Sequence, residues 1–177
     1  MIELNTPFDE EVIRNLRAGD IVSITGVLYT ARDQAHKRLC ESIKKDEKLP
    51  FDVRNQGVYY VGPSPAKPGE VIGSAGPTTS YRMDDLTIPL LEKGLKIMIG
   101  KGKRNANVIE AMKKHGACYL VAIGGAGAYI SDSIKSSEVI AYDDLGTEAL
   151  RRIEVSKMIL TVCIDSEGNN LYEMVNK

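Results

Sequence analysis

Six consecutive residues, Cys118-Tyr119-Leu120-Val121-Ala122-Ile123, carry no charge and only one hydroxyl. A run this short and this apolar suits a strand covered on both faces, as in a sheet with helices packed over it. It limits the chain to architectures with enough helix to cover the sheet. Residues 58–61 and 96–99 repeat the signal, and residues 20–25 alternate around Ile21, Val22 and Ile24. Residues 139–142 and 158–164 predict two more strands.

Helical spacing falls between these runs. Val12, Ile13 and Leu16 form a short stripe before Gly19, and Ala31, Ala35, Leu39 and Ile43 form a longer one. Thr30 suits an N-cap for that second helix, with Asp33 three residues on. A third helix runs through Leu86 and Leu90 to Gly94, with Pro89 predicting a kink or restart. A fourth turns Val108, Ile109 and Met112 inward and ends at Gly116. A short helix is expected over 148–152, and a hairpin turn over 166–169 leading into a strand at 171–175. Strands and helices alternate, so the fold class is α/β.

With 177 residues, no repeats and no low-complexity linker, residues 1–177 read as one domain. A net charge of −1 gives no basis for broad attraction to nucleic acid or an anionic membrane. No apolar run is long enough to span a bilayer, and residues 1–11 are too polar and acidic for a signal peptide, so a cytoplasmic location is expected. Cys40, Cys118 and Cys163 are widely spaced, and the only histidines are His36 and His115. This gives little support for a self-contained zinc or iron–sulfur site; the cysteines read as buried, reduced thiols.

The chemistry concentrates in Gly76-Pro77-Thr78-Thr79-Ser80-Tyr81-Arg82-Met83-Asp84. A turn, three hydroxyls and an arginine occupy what reads as a helix start. Free N–H groups there favour an anion, and an arginine beside them opposes the helix dipole unless an anion is near. Arg32 repeats that feature two residues after Thr30. It is either a solvent-facing side chain or a second grip on a carboxylate. His36 lies one turn further on the same helix, as a proton carrier or a buried structural histidine. Gly100-Lys101-Gly102 follows a strand and is either a ligand-approaching turn or a solvated basic one. It is not a P-loop. Gly124-Gly125-Ala126-Gly127 lacks the third position of a dinucleotide fingerprint and suits close backbone packing or a small ligand better. Tyr59, Tyr60 and Tyr129 read as core or interface aromatics.

Taken in order, these motifs resemble class I fumarases. The resemblance is carried by Thr30-Ala31-Arg32-Asp33 with Ala35-His36-Lys37-Arg38, by Tyr60-Val61-Gly62-Pro63, and by Gly76 to Ser80 with Arg82-Met83-Asp84. It continues through Ile99-Gly100-Lys101-Gly102, Gly124 to Ala128, and Asp144-Leu145-Gly146 with Glu148-Ala149. The likeness covers nearly the whole chain. It is to the C-terminal domain of the one-chain enzymes, equivalent to the β subunit of two-subunit ones; L-tartrate dehydratase β subunits look similar.

The resemblance implies a swivelling β/β/α domain, with a mixed sheet and flanking helices. It implies a hydro-lyase of the tricarboxylic acid cycle, interconverting fumarate and L-malate, with little activity without its α subunit. It also implies a 4Fe-4S cluster held by three cysteines of that α subunit, in an α2β2-type assembly. By the same resemblance, Arg32, Arg82 and Lys101 bind substrate, Thr78 is the candidate catalytic hydroxyl, and Thr79, His36 and Asp84 support them. L-tartrate dehydratase is the alternative within this chemistry, and a stand-alone dicarboxylate-binding or regulatory module the alternative outside it.

Overall fold

A computed structural model describes residues 1–122 and 127–174 of the chain. Four strands run parallel side by side: β2 (Ile21–Thr30), β3 (Gly57–Tyr59), β4 (Ile97–Gly100) and β5 (Cys118–Val121). The 15-residue β7 (Leu150–Ile164) is antiparallel to both β5 and β2. The pairing therefore returns on itself, β2–β3–β4–β5–β7–β2, and the mixed sheet closes into a ring. β1 (Ile2–Asn5) adds parallel to β2, and β6 (Ile134–Ala141) antiparallel to β7.

Alternation along the strands sorts side chains between two cores. Tyr59, Ile97, Ile99, Cys118 and Leu120 join Leu28, Ile153, Leu160 and Val162 in a cluster drawn from every strand of the ring. The intervening Val58, Tyr60, Met98 and Tyr119 face the other way. They pack beneath α2 (Asp33–Lys44), α3 (Asp84–Glu92) and α4 (Ala106–His115). α2 contributes Ala35 and Leu39 to that layer, α3 Leu90 and Leu91, and α4 Val108 and Met112. Burying a side chain of this size contributes about 1.5–3 kcal/mol. Three short helices complete the domain: α1 (Glu10–Asn15), α5 (Gly127–Ser133) and α6 (Leu171–Met174). The result is a single α/β domain with a mixed sheet and flanking helices.

Several local expectations are corrected. α2 is capped by Arg32, with no side-chain cap bond, because β2 continues to Thr30 and takes that residue into the sheet. Residues 150–152 belong to β7 rather than a helix; the helical turn lies just before, at Asp143–Glu148. Leu171–Met174 is helical, not a strand, and the Asn170 side chain accepts from the Tyr172 amide at 3.0 Å. α3 passes Pro89 without a restart, and a 3₁₀ turn, Ser80–Met83, leads into it. The expectation for Gly124-Gly125-Ala126-Gly127 falls largely outside the described residues, with Gly127 opening α5. Cys40, Cys118 and Cys163 are all free and buried.

Candidate functional site

Three consecutive parallel strands bring two of the predicted site residues, and a glycine beside them, to one edge. Arg32 stands just beyond the carboxyl end of β2, Gly62 beyond β3 and Lys101 directly after β4. The carboxyl ends of parallel strands are the usual ligand-binding edge of α/β folds, in closed barrels as in open sheets. The Thr78 amide donates to the Tyr60 carbonyl at 2.7 Å, which brings the hydroxyl-rich turn to the same edge. Thr79 and Lys101 form a parallel bridge, and the Ser80 amide donates to the Lys101 carbonyl at 2.9 Å. Thr78 and Thr79 are half-buried, while Arg82 and Lys101 are exposed.

The loop over 64–76 that leads into this turn is anchored rather than free. Its neck is closed by the Ser64 amide donating to the Ser74 carbonyl at 3.0 Å and the Ser74 amide to the Ser64 hydroxyl at 2.8 Å. The Tyr59 hydroxyl donates to the Ala75 carbonyl from below.

Arg32 threads through a narrow gap. A side chain at Gly62 would put its Cβ 2.8 Å from Arg32 Cδ and 3.2 Å from the Thr147 carbonyl oxygen, so glycine leaves the guanidinium its path. Asp33 and Glu148 each hold a carboxylate oxygen 3.9 Å from Arg32 Nε. These are attractive but too long for hydrogen bonds. Thr30 Oγ1, Arg32 Nε, Asp33 Oδ1 and His36 Nε2 are all buried without a hydrogen-bond partner among the described residues. A buried polar atom left unpaired costs about 1–3 kcal/mol, so such a concentration is unusual in a purely structural region.

His36 is completely buried, its ring edge-on to Tyr60. Its Nδ1 lies 2.8 Å from the Arg32 carbonyl oxygen. A carbonyl only accepts, so Nδ1 carries the proton and Nε2 presents a lone pair. Burial, reinforced by the Arg104 cation, brings the ring's pKa down to about 4 and keeps it neutral. His36 therefore holds the backbone of the residue that caps α2.

Asp84 is fully engaged beneath the turn. One oxygen accepts from Arg104 Nε at 2.5 Å and the other from the Asn105 amide at 2.8 Å. Its partner is thus Arg104, a buried residue that the sequence motifs do not single out. The Arg104 guanidinium lies 5.2 Å from the Tyr60 ring centroid and 4.7 Å from that of Tyr119. Arg104 Nη2 donates to the Tyr60 hydroxyl at 3.1 Å. The Thr87 hydroxyl spends its proton on the Met83 carbonyl, so the 2.8 Å contact between Tyr60 and Thr87 runs from Tyr60 to Thr87. One directed chain of donors thus links the base of the site to α3. Neither Arg104 nor Tyr119 stood out in the sequence, because an arginine after a basic turn and a tyrosine within an apolar strand are ordinary there.

The residues do not fit a cluster of their own. Burial raises the Cys118 thiol to about 12 and the Cys163 thiol to about 11, with Cys40 also pushed up. No group of three or more His, Cys, Asp or Glu suited to a metal occurs among the described residues.

The fumarase C-terminus family model matches residues 1–175. The chain belongs to that family. As a fumarase C-terminal domain, it is 38% identical over 171 residues to a Methanocaldococcus jannaschii protein provisionally named L(+)-tartrate dehydratase subunit beta. That alignment covers 93% of this chain and 88% of the relative. The domain is 36% identical over 179 residues to the aerobic class I fumarate hydratase of Escherichia coli K12 and 38% over 183 to the anaerobic one. Those alignments cover 98% and 99% of this chain but only 32% and 33% of the enzymes, so it spans about a third of their length.

Proposed function

We propose that this chain is the β subunit of a two-subunit iron–sulfur hydro-lyase, most simply a fumarate hydratase. It would supply the carboxylate-binding half of an active site shared with a cluster-bearing α subunit. The swivelling β/β/α character implied by the resemblance belongs to the same proposal. The observation that carries it is the arrival of Arg32, the Thr78–Thr79 turn and Lys101 at one edge of β2, β3 and β4 in a fumarase C-terminal domain.

In this reading Arg32 and Arg82 each grip one carboxylate of the substrate, and Lys101 adds a third positive charge. The unpaired Arg32 Nε gains a partner when an anion arrives. Thr78 supplies a hydroxyl at the reacting carbon. An alcohol is too weak a base to act unaided, so its proton passes to a group on the partner. Thr79 and His36 hold the turn and the Arg32 backbone, and Asp84 acts through Arg104.

The Methanocaldococcus relative favours a second substrate, because it matches over most of its own length and carries the L(+)-tartrate dehydratase name. One experiment tests both. The chain is reconstituted anaerobically with a partner bearing three cluster cysteines, then assayed on fumarate, mesaconate and L-tartrate. Turnover in the complex and none from either chain alone is expected. Saturable malate binding by the isolated chain, with no activity on adding the partner, would favour a stand-alone binding module.

A further inference from the structure

The Tyr119 hydroxyl lies between the two turns that carry Thr79 and Lys101, yet the chemistry proposed above does not use it. It donates to the Gly102 carbonyl at 2.9 Å. A phenol has one proton, so its 2.8 Å contact with Ser80 must run from the Ser80 hydroxyl to the Tyr119 oxygen. Meanwhile the Ser80 amide holds the Lys101 carbonyl. The two carbonyls at and just after Lys101 are therefore pinned by a linked pair, Ser80 and Tyr119.

The flanking glycines fit this arrangement. A Cβ at Gly100 would fall 2.0 Å from Ser80 Oγ and 2.8 Å from the Tyr60 ring, so only glycine lets Ser80 come this close. Gly102 turns the chain at a φ of +85°, a conformation side chains rarely adopt. Lys101 itself is exposed and long, and a flexible ammonium binds well only where its backbone fixes the direction of departure.

We infer that Ser80 and Tyr119 are positioning residues that set Lys101 against Thr79 and so determine how well the site holds a substrate carboxylate. The inference rests on the function proposed above. The ring of Tyr119 also covers Arg104, so the informative change removes only the oxygen.

Tyr119→Phe, Ser80→Ala and the double variant are compared in the reconstituted complex. Because the link acts through ground-state binding, KM should rise about tenfold with kcat within about twofold. The double variant should be no worse than the more affected single one. A merely structural role would lower apparent kcat at unchanged KM, and that outcome overturns the inference. A second measurement needs no activity. Hydrogen exchange at the Ser80 amide should quicken at least tenfold in Tyr119→Phe, while amides of β4 and β5 keep their protection. Unchanged Ser80 exchange also overturns the inference. An inactive wild-type complex counts only against the proposed function, and the exchange result still decides this one.

Discussion

Arg104 and Asp84 meet at 2.5 Å with essentially no solvent on either side chain. The pair lies beside the turn that carries Thr78 and Arg82, with the Arg104 guanidinium near the rings of both Tyr60 and Tyr119. Breaking a buried pair by removing one partner strands the other charge. Asp84→Asn should therefore cost about 3–5 kcal/mol of folding stability, read by urea unfolding. A loss below about 1 kcal/mol would mean that water reaches Arg104.

The proposed carboxylate grip has a direct kinetic consequence. Charge-assisted bonds from an arginine contribute about 1.5–3 kcal/mol, so Arg32→Ala and Arg82→Ala should each lower kcat/KM roughly 10- to 150-fold in the active complex. A change under about threefold, or roughly 0.7 kcal/mol, would remove that residue from the grip.

His36 couples stability to pH. Its pKa falls from an ordinary 6.5 to about 4 in the folded chain, so below 6.5 the unfolded chain takes up the proton first. Stability is full above 6.5 and declines as pH falls towards 4, by about 3 kcal/mol in all. His36→Asn keeps a donor for the Arg32 carbonyl and cannot titrate. Unfolding midpoints measured from pH 7.5 to 4.5 should fall less steeply for this variant than for wild type.

Gly100→Ala tests the close approach of Ser80. The added methyl would lie 2.0 Å from Ser80 Oγ and must displace it. Overpacking of this kind costs about 1–3 kcal/mol, so the thermal midpoint should drop by several degrees. The Lys101 turn should shift with it, visible as changed backbone amide resonances for Ser80 and Gly102. A variant matching wild type in both would show that Ser80 has room to spare.

The sequence carried the regular parts of this fold plainly. Gly116 ends α4 as a left-handed stop, a signal that works locally. β7 was half hidden for a physical reason. Its inward residues run Ile153 and Val155, then Met158, Leu160 and Val162, so the alternation slips by one at Lys157. Lys157 has a φ of +54°, and its amide donates to the Thr25 hydroxyl, opposite a register shift at Ile24–Gly26. A bulge of this kind breaks the period-two signal on which strand reading depends. β1 escaped notice because Leu4 is its only buried residue.

The site divides the same way. Arg32, Thr78, Arg82 and Lys101, to which the proposed function assigns roles, lie in short motifs that a reading of the sequence can single out. The Ser80–Tyr119 and Asp84–Arg104 links join residues 39 and 20 positions apart, the first across the β4–β5 pairing and the second between the start of α3 and the turn after β4. No local pattern encodes such a meeting.

The closure of the strand ring sets an order of events during synthesis. β2, which leads to Arg32, finds its antiparallel partner only in β7, separated from it by most of the chain. By the time β7 leaves the ribosome, Arg32, Thr78 and Lys101 have already emerged. Until then β2 and β5 each present an unpaired edge. Long-range pairing of this kind makes folding slow, and open edges invite association between unfinished chains. The sooner β7 joins the sheet, the shorter the time those edges stay open.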